Sequence, residues 1–211
     1  KDVDNAAKSN AQFAAGMSSL TKGAIAGAAL FAGKQLLDFA RSSIIAASAA
    51  QEAAGAFDTT FGGAAANLSK ELEKNANLFG LTTSEAKQLV SVMGSVAQGV
   101  GFTQQESADL SSKLFELSGD IASFNNVSQG ALPVLNAFRN AIVGERESLA
   151  TYGIKILETE VQQKALTMGL AKTTAELSLQ DKALATIELA FDKASVQQGN
   201  AAREAEGFAA Q

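Results

Sequence analysis

The sequence contains no cysteine, no histidine and no tryptophan, and only one proline and one tyrosine. Each absence removes something. Without cysteine there is no disulfide framework and no thiolate metal site. Without histidine the usual general base is missing. The Ser-His and Cys-His nucleophile pairs and most zinc sites go with it. With a single proline, interruptions of regular structure fall to glycine, which occurs 18 times. Aromatic residues are only 6% of the chain and nearly all are phenylalanine. Alanine supplies much of the 46% apolar content. Small residues at this density suit closely packed helices better than a sandwich core of aromatic and β-branched side chains. The net charge is -5 and there is no basic run, so the electrostatic footprint of a nucleic-acid binder is missing. At 211 residues the chain is long enough for one large domain or two small ones. No signal-peptide pattern opens it, and it reads as a segment of a longer polypeptide.

What is present begins with a heptad. Val3, Asn10, Met17, Ala24 and Phe31 fall seven apart, and Ala6, Phe13, Leu20 and Gly27 fill a second seam. The alternation fails at Lys34. This pattern predicts a short parallel coiled coil in which Asn10 fixes the register. Three copies are the expected state, six the alternative. An amphipathic helix on its own core is the plainer reading. Gly23 to Gly33 is uncharged, with Gly23 and Gly27 spaced as in a membrane dimer motif. It is about half of a bilayer span, and Lys22 and Lys34 bracket it. A tightly packed soluble helix pair is favoured. Leu36, Leu37, Phe39, Ala40, Ile44, Ile45 and Ala47 extend an apolar stripe that predicts helix to Ala54. The glycine-bearing stretch Gly55–Gly63 is expected to break it.

The fold class expected is all-α: a helical stalk over residues 1–54 and a multi-helix bundle over 64–211. Within the bundle a helix over 64–79 stops at Gly80. Thr83 or Ser84 caps the next, which runs to Gln98, and Gly99-Val100-Gly101 is the break. Thr103 and Glu106 have capping-box spacing and open a helix of about twenty residues, ended by Asn125-Asn126. Ser128 is expected to cap a helix in which Pro133 falls late for a first-turn proline. That places the true start nearer Ala131, or a kink at the proline. Gly144 ends this helix, and a loop or short turn spans 145–153. Helices over 156–168, 179–197 and 201–211 follow, divided by Gly169 and Gly199. No stretch shows the alternation of a half-buried strand.

Few residue clusters suggest chemistry. Glu145-Arg146-Glu147 brings two carboxylates close in sequence, but a glycosidase needs its pair on opposite sides of a sugar. Glu147-Ser148 is similar to the Glu-Ser of lytic transglycosylases, without that family's downstream segment. Carboxylates that cap the next helix or pair with Arg146 are the simpler expectation. Asp2, Asp4 and Asn5 lack calcium-loop spacing. Gly99-x-Gly101 lacks the third glycine of a dinucleotide site. Lys70-Glu71-x-Glu73-Lys74 reads as a solvated helix face. No catalytic residue, metal or cofactor is expected, and the chain is not expected to be an enzyme.

One longer pattern stands out. Gly119-Asp120-Ile121-Ala122-Ser123-Phe124-Asn125-Asn126 is followed by a helical stretch to Val143. Then come Gly144-Glu145-Arg146-Glu147-Ser148-Leu149 and Tyr152-Gly153-Ile154. Downstream lie Ala165-Leu166 before Gly169-Leu170, Asp181-Lys182-Ala183, and Gly199-Asn200 before Arg203-Glu204. In order and spacing this resembles the core region of phage tail tape measure proteins, over residues 50–211. Asn200 stands where the family has Asp, and Glu204 where it has Thr. The resemblance implies a structural virion protein. It would lie in the tail lumen or tip as a few parallel copies, set tube length during assembly in the host cytoplasm, and leave ahead of the DNA. Its implied partners are its own copies and the tail tube and tip or baseplate proteins, with no specific nucleic acid and membrane contact only at infection. The motif residues are Asp120, Ile121, Ala122, Phe124, Gly144, Glu145, Glu147, Leu149, Tyr152, Gly153 and Ile154. A membrane-active pore former and a helical peptidoglycan hydrolase are the alternatives.

Overall fold

The computed structural model describes residues 47–209, with side chains to Gly207. The chain divides into two units, Lys1–Ser48 and Ala49–Gln211. The heptad positions Val3, Ala6, Asn10, Phe13, Met17, Leu20, Ala24 and Phe31, the Gly23–Gly33 run and Asp2, Asp4 and Asn5 lie outside the described residues.

The second unit is helical, and no strand occurs among the described residues. Helix α1 occupies 47–61, and a 3-10 turn, Gly62–Ala64, leads into α2, Ala65–Asn75. A second 3-10 turn, Asn77–Phe79, precedes α3, Thr83–Gly99, and α4, Gln104–Phe124. Then come α5, Leu132–Ile142, the one-turn α6, Glu147–Ala150, and α7, Glu158–Thr167. After the turn Thr174–Glu176, α8 spans Leu179–Lys193 and α9 spans Asn200–Ala209. At 21 residues α4 is the centre, with α2, α3, α5 and α9 packed on it. Its buried residues therefore occupy more than one face, from Ala108 and Leu110 through Leu114, Phe115 and Leu117 to Ile121.

The largest difference from the sequence reading is at Gly55–Gly63. Helix α1 runs through Gly55 and ends only at Gly62, whose φ of +51° is the left-handed stop. Phe57 and Phe61, four apart on one face, drive this. Both are buried, and their rings meet edge to face at 5.0 Å. The Phe61 ring occupies the space above Gly94 of α3, where a Cβ would fall 2.4 Å from ring carbons. The last carbonyls of α1 are met from the same side: Gln98 donates to the Thr60 carbonyl at 2.8 Å and Gln104 to that of Thr59 at 3.5 Å. A helix end satisfied in this way is docked, so residues 49–61 belong to the bundle.

Helix starts show smaller corrections. The cap of α3 is Thr82, neither Thr83 nor Ser84. Its hydroxyl accepts from the Glu85 N–H, and the Glu85 carboxylate accepts from the Thr82 N–H at 2.8 Å. Thr103 and Glu106 form the expected box on α4. These backbone and hydroxyl bonds hold both glutamates below the usual carboxylate range. Ser128 caps nothing. Helix α5 starts at Leu132 with Pro133 in its first turn, because Gly130, at φ +61°, turns the chain against the Phe79 carbonyl. The 145–153 turn holds the one-turn α6. Ser178 and Asp181 form a further capping box on α8, which ends at Lys193.

Candidate functional site

The residues that carry the family resemblance fall in two places, and one short segment joins them. Asp120, Ile121, Ala122 and Phe124 lie in the last turns of α4. Ile121 and Ala122 are buried and Phe124 is exposed. Gly144, Glu145, Glu147, Leu149, Tyr152, Gly153 and Ile154 form the α5–α6 turn and its exit. Leu149 and Ile154 are fully buried there. The Ile154 N–H closes onto the Leu149 carbonyl at 3.1 Å, and the Glu145 N–H closes onto that of Asn140 at 2.9 Å. Both closures need the positive φ of the glycine just before them. Gly144 and Gly153 therefore act as paired chain stops around α6.

The joining segment is 197–201. Gln197 donates its amide to the Tyr152 carbonyl at 3.0 Å. Two residues on, the Gly199 N–H donates to one oxygen of Asp120 at 2.7 Å, and the Ala201 N–H donates to the other at 3.2 Å. A carboxylate at a helix N-terminus satisfies orphan donors and faces the positive end of the helix dipole. Asp120 on α4 thus caps α9 from outside its own stretch of chain. Ser123, one turn later on α4, accepts from the Asn200 amide at 2.9 Å and donates to Glu204 at 2.6 Å. Asn200 also donates to Glu204 at 3.1 Å. Asn200 and Glu204 therefore touch each other and share Ser123. A carboxylate at 200 could not donate to either. Sequence reasoning missed Ser123 and Gln197 as contributors, because their partners are far away along the chain.

Between Asn77–Gly80, the end of α4, the 126–130 loop and α9 lies an open groove of about 520 Å³. Its floor is Phe79, whose ring is seated over Gly119 and meets Phe115 edge to face at 5.2 Å. A Cβ on Gly119 would fall 2.2 Å from that ring. The same device, a phenylalanine ring over a helical glycine, fixes Phe61 on Gly94.

The carboxylates of the α5–α6 turn are not paired as expected. Glu145 and Glu147 are exposed. Arg146, whose side chain is 12% exposed, reaches away to Glu158 at 2.9 Å and to the Thr186 hydroxyl at 3.1 Å. Lys182 holds the other Glu158 oxygen at 3.1 Å. Burial alone would raise the Glu158 pKa, but bonds from Lys182 and Gln162 and the Arg146 charge hold it below the usual range. This group ties the turn to α7 and α8. A hollow of about 340 Å³ beside it includes Glu147, Lys155 and Leu157. Gly99 and Gly101 form the α3–α4 junction. On α2, Glu71 and Glu73 do more than face water: Glu71 accepts from Ser112 of α4, and Glu73 lies 4.0 Å from Lys87 of α3. Among the described residues no group of acidic side chains could hold a metal ion, and no helix is long and apolar enough to cross a membrane.

One carboxylate beside the cap is shifted the other way. Partial burial, then the Glu71 and Asp120 charges, raise the Glu116 pKa against the opposing Asn75 hydrogen bond. A carboxyl with a raised folded-state pKa binds its proton more readily when folded, so stability falls as pH rises through that value. Glu116→Gln is therefore expected to stabilise the fold at pH 7, by about 0.5 kcal/mol or less. The gain should vanish below about pH 4.3, the ordinary glutamate value. Thermal unfolding of both proteins across pH 3–7 checks this. A gain that persists at the acid end would refute it.

No family model, curated protein or solved structure matches this chain.

Proposed function

We propose that this chain is part of a structural protein of a phage tail, of the tape measure kind. The observation that carries the reading is the meeting of the resembling segments. Those around 120 and 200 are about 80 residues apart and are tied through one carboxylate, while Gln197 adds the Tyr152 exit. On this reading the motif residues serve architecture: Asp120 caps, Gly144 and Gly153 turn the chain, and Leu149 and Ile154 anchor the turn. The chain works without a cofactor and without catalysis. Its partners are its own copies, joined through the heptad residues from Val3 to Phe31, and the tail tube and tip proteins. The net charge of -5 keeps DNA from sticking as it passes.

The reading places the protein inside the virion. Mass spectrometry of purified particles is expected to find its peptides in tails at a few copies each. A nonsense mutation early in its gene should leave filled heads without normal tails. Normal tails in that mutant would sink the proposal. Liposome leakage, or clearing of peptidoglycan lost on Glu147→Gln, would instead support the pore-forming or wall-hydrolase alternative.

A further inference from the structure

We infer that α9 is a strap closed by Asp120, which opens while the rest of the bundle stays folded. Two features of its attachment lead there. The first is how little it buries. Between Asn200 and Gly207 only Ala201 is buried, whereas α8 buries Ala183, Ala185, Thr186, Ile187 and Ala190. The second is how it is held. Gly199 and Ala201 bond to Asp120, while Asn200 and Glu204 bond to Ser123. All four bonds end on one turn of α4, at the N-terminal end of α9. Release of that turn frees the N-terminal end of α9, which otherwise only packs on α4 and on the Asn77–Phe79 turn. Local opening of this kind is characteristic of segments with few buried apolar contacts. The consequence is at the groove: Ala201, Glu204 and Ala205 form one wall of it, and opening joins the groove over Phe79 to the face of α4 beneath the strap.

Hydrogen exchange of the full chain, read by mass spectrometry, tests the strap. In Asp120→Ala the amides of 199–205 are expected to exchange about 10- to 100-fold faster, the range set by hydrogen bonds to a charged group. The amides of α3, α5 and α8 should remain the slower-exchanging set in both proteins, since they are exposed only when the bundle itself unfolds. Ser123→Ala, which spares the capping carboxylate but removes the bonds to Asn200 and to the Glu204 carboxylate, should accelerate the same amides about threefold to a hundredfold, the range from a neutral to a charge-assisted hydrogen bond. Exchange at 199–205 in the unaltered protein no faster than that of the protected amides of α3, α5 and α8 would show that α9 opens only with the bundle. Unchanged exchange at 199–205 in both would show that Asp120 and Ser123 do not hold it. Either result overturns the inference. If Asp120→Ala fails to fold, Ser123→Ala decides by the same criterion.

Discussion

Phe61→Ala is expected to lower folding stability by about 3–5 kcal/mol, the usual cost of removing a buried aromatic ring. A domain of ordinary stability has about 5–15 kcal/mol in all, so the variant sits near the edge of folding. The ring is fully buried, meets Phe57, and fills the space above Gly94. Gly94→Ala is expected to cost about 1–3 kcal/mol for the opposite reason, since its methyl would overlap the ring. In the double variant the new methyl projects into the space the ring has left. Its loss should fall short of the two single losses added together by more than about 1 kcal/mol. Urea unfolding followed by circular dichroism measures all three. Losses that add to within about 0.5 kcal/mol would mean that ring and glycine do not share the space. An unchanged midpoint in Phe61→Ala would mean that α1 is no part of the bundle.

If the chain is the tape measure segment proposed above, removing residues 49–211 from the intact protein is expected to stop tail assembly, not to shorten the tail. If these residues were one extended helix they would contribute about 245 Å at about 1.5 Å per residue. They instead form reversing helices in a compact unit on the order of 40 Å across. A folded-back unit is a poor ruler. What it offers is surface for docking to other copies or to tail-tip proteins, and loss of docking is an all-or-none defect. Electron micrographs of the deletion mutant decide the matter. Tails of normal appearance, shorter by about 245 Å, would show that this part is ruler after all.

Much of the bundle was legible because its punctuation is local. Gly144 and Gly169 end helices where expected, and Thr103 with Glu106 opens α4 as the spacing said; the helix expected to run to Gly80 instead ends at Asn75, and Gly80 closes the 3-10 turn Asn77–Phe79 that follows it. Thr82 was legible too: Glu85 stands three residues on, the capping-box interval, but two neighbouring hydroxyls drew the start forward. The break expected across Gly55–Gly63 failed for a different reason. A glycine inside a helix costs about 1 kcal/mol relative to alanine, and burial of Phe57 and Phe61 outweighs that. Composition registered the glycines, while the two rings at helical spacing decided the outcome. The junction around Asp120 was legible only as a motif. Nothing near residue 120 announces that its carboxylate will cap a helix starting at 200, nor does the Gln197-Gln198 pair show that one amide will reach Tyr152. Such contacts are properties of the assembled fold.

The long-distance bonds at Asp120 also set an order of events. Most pairings in the bundle join helices adjacent in sequence, α3 with α4 and α7 with α8 foremost, and local topologies of this kind fold in microseconds to milliseconds. Capping α9 requires closing a span of about 80 residues first. The cap is therefore expected to form late, after the transition state for the body has been crossed. Bonds made on that side of the barrier leave the folding rate alone and slow unfolding. Asp120 is thus a kinetic lock: it governs how long the finished unit persists, and has no part in how fast it is made.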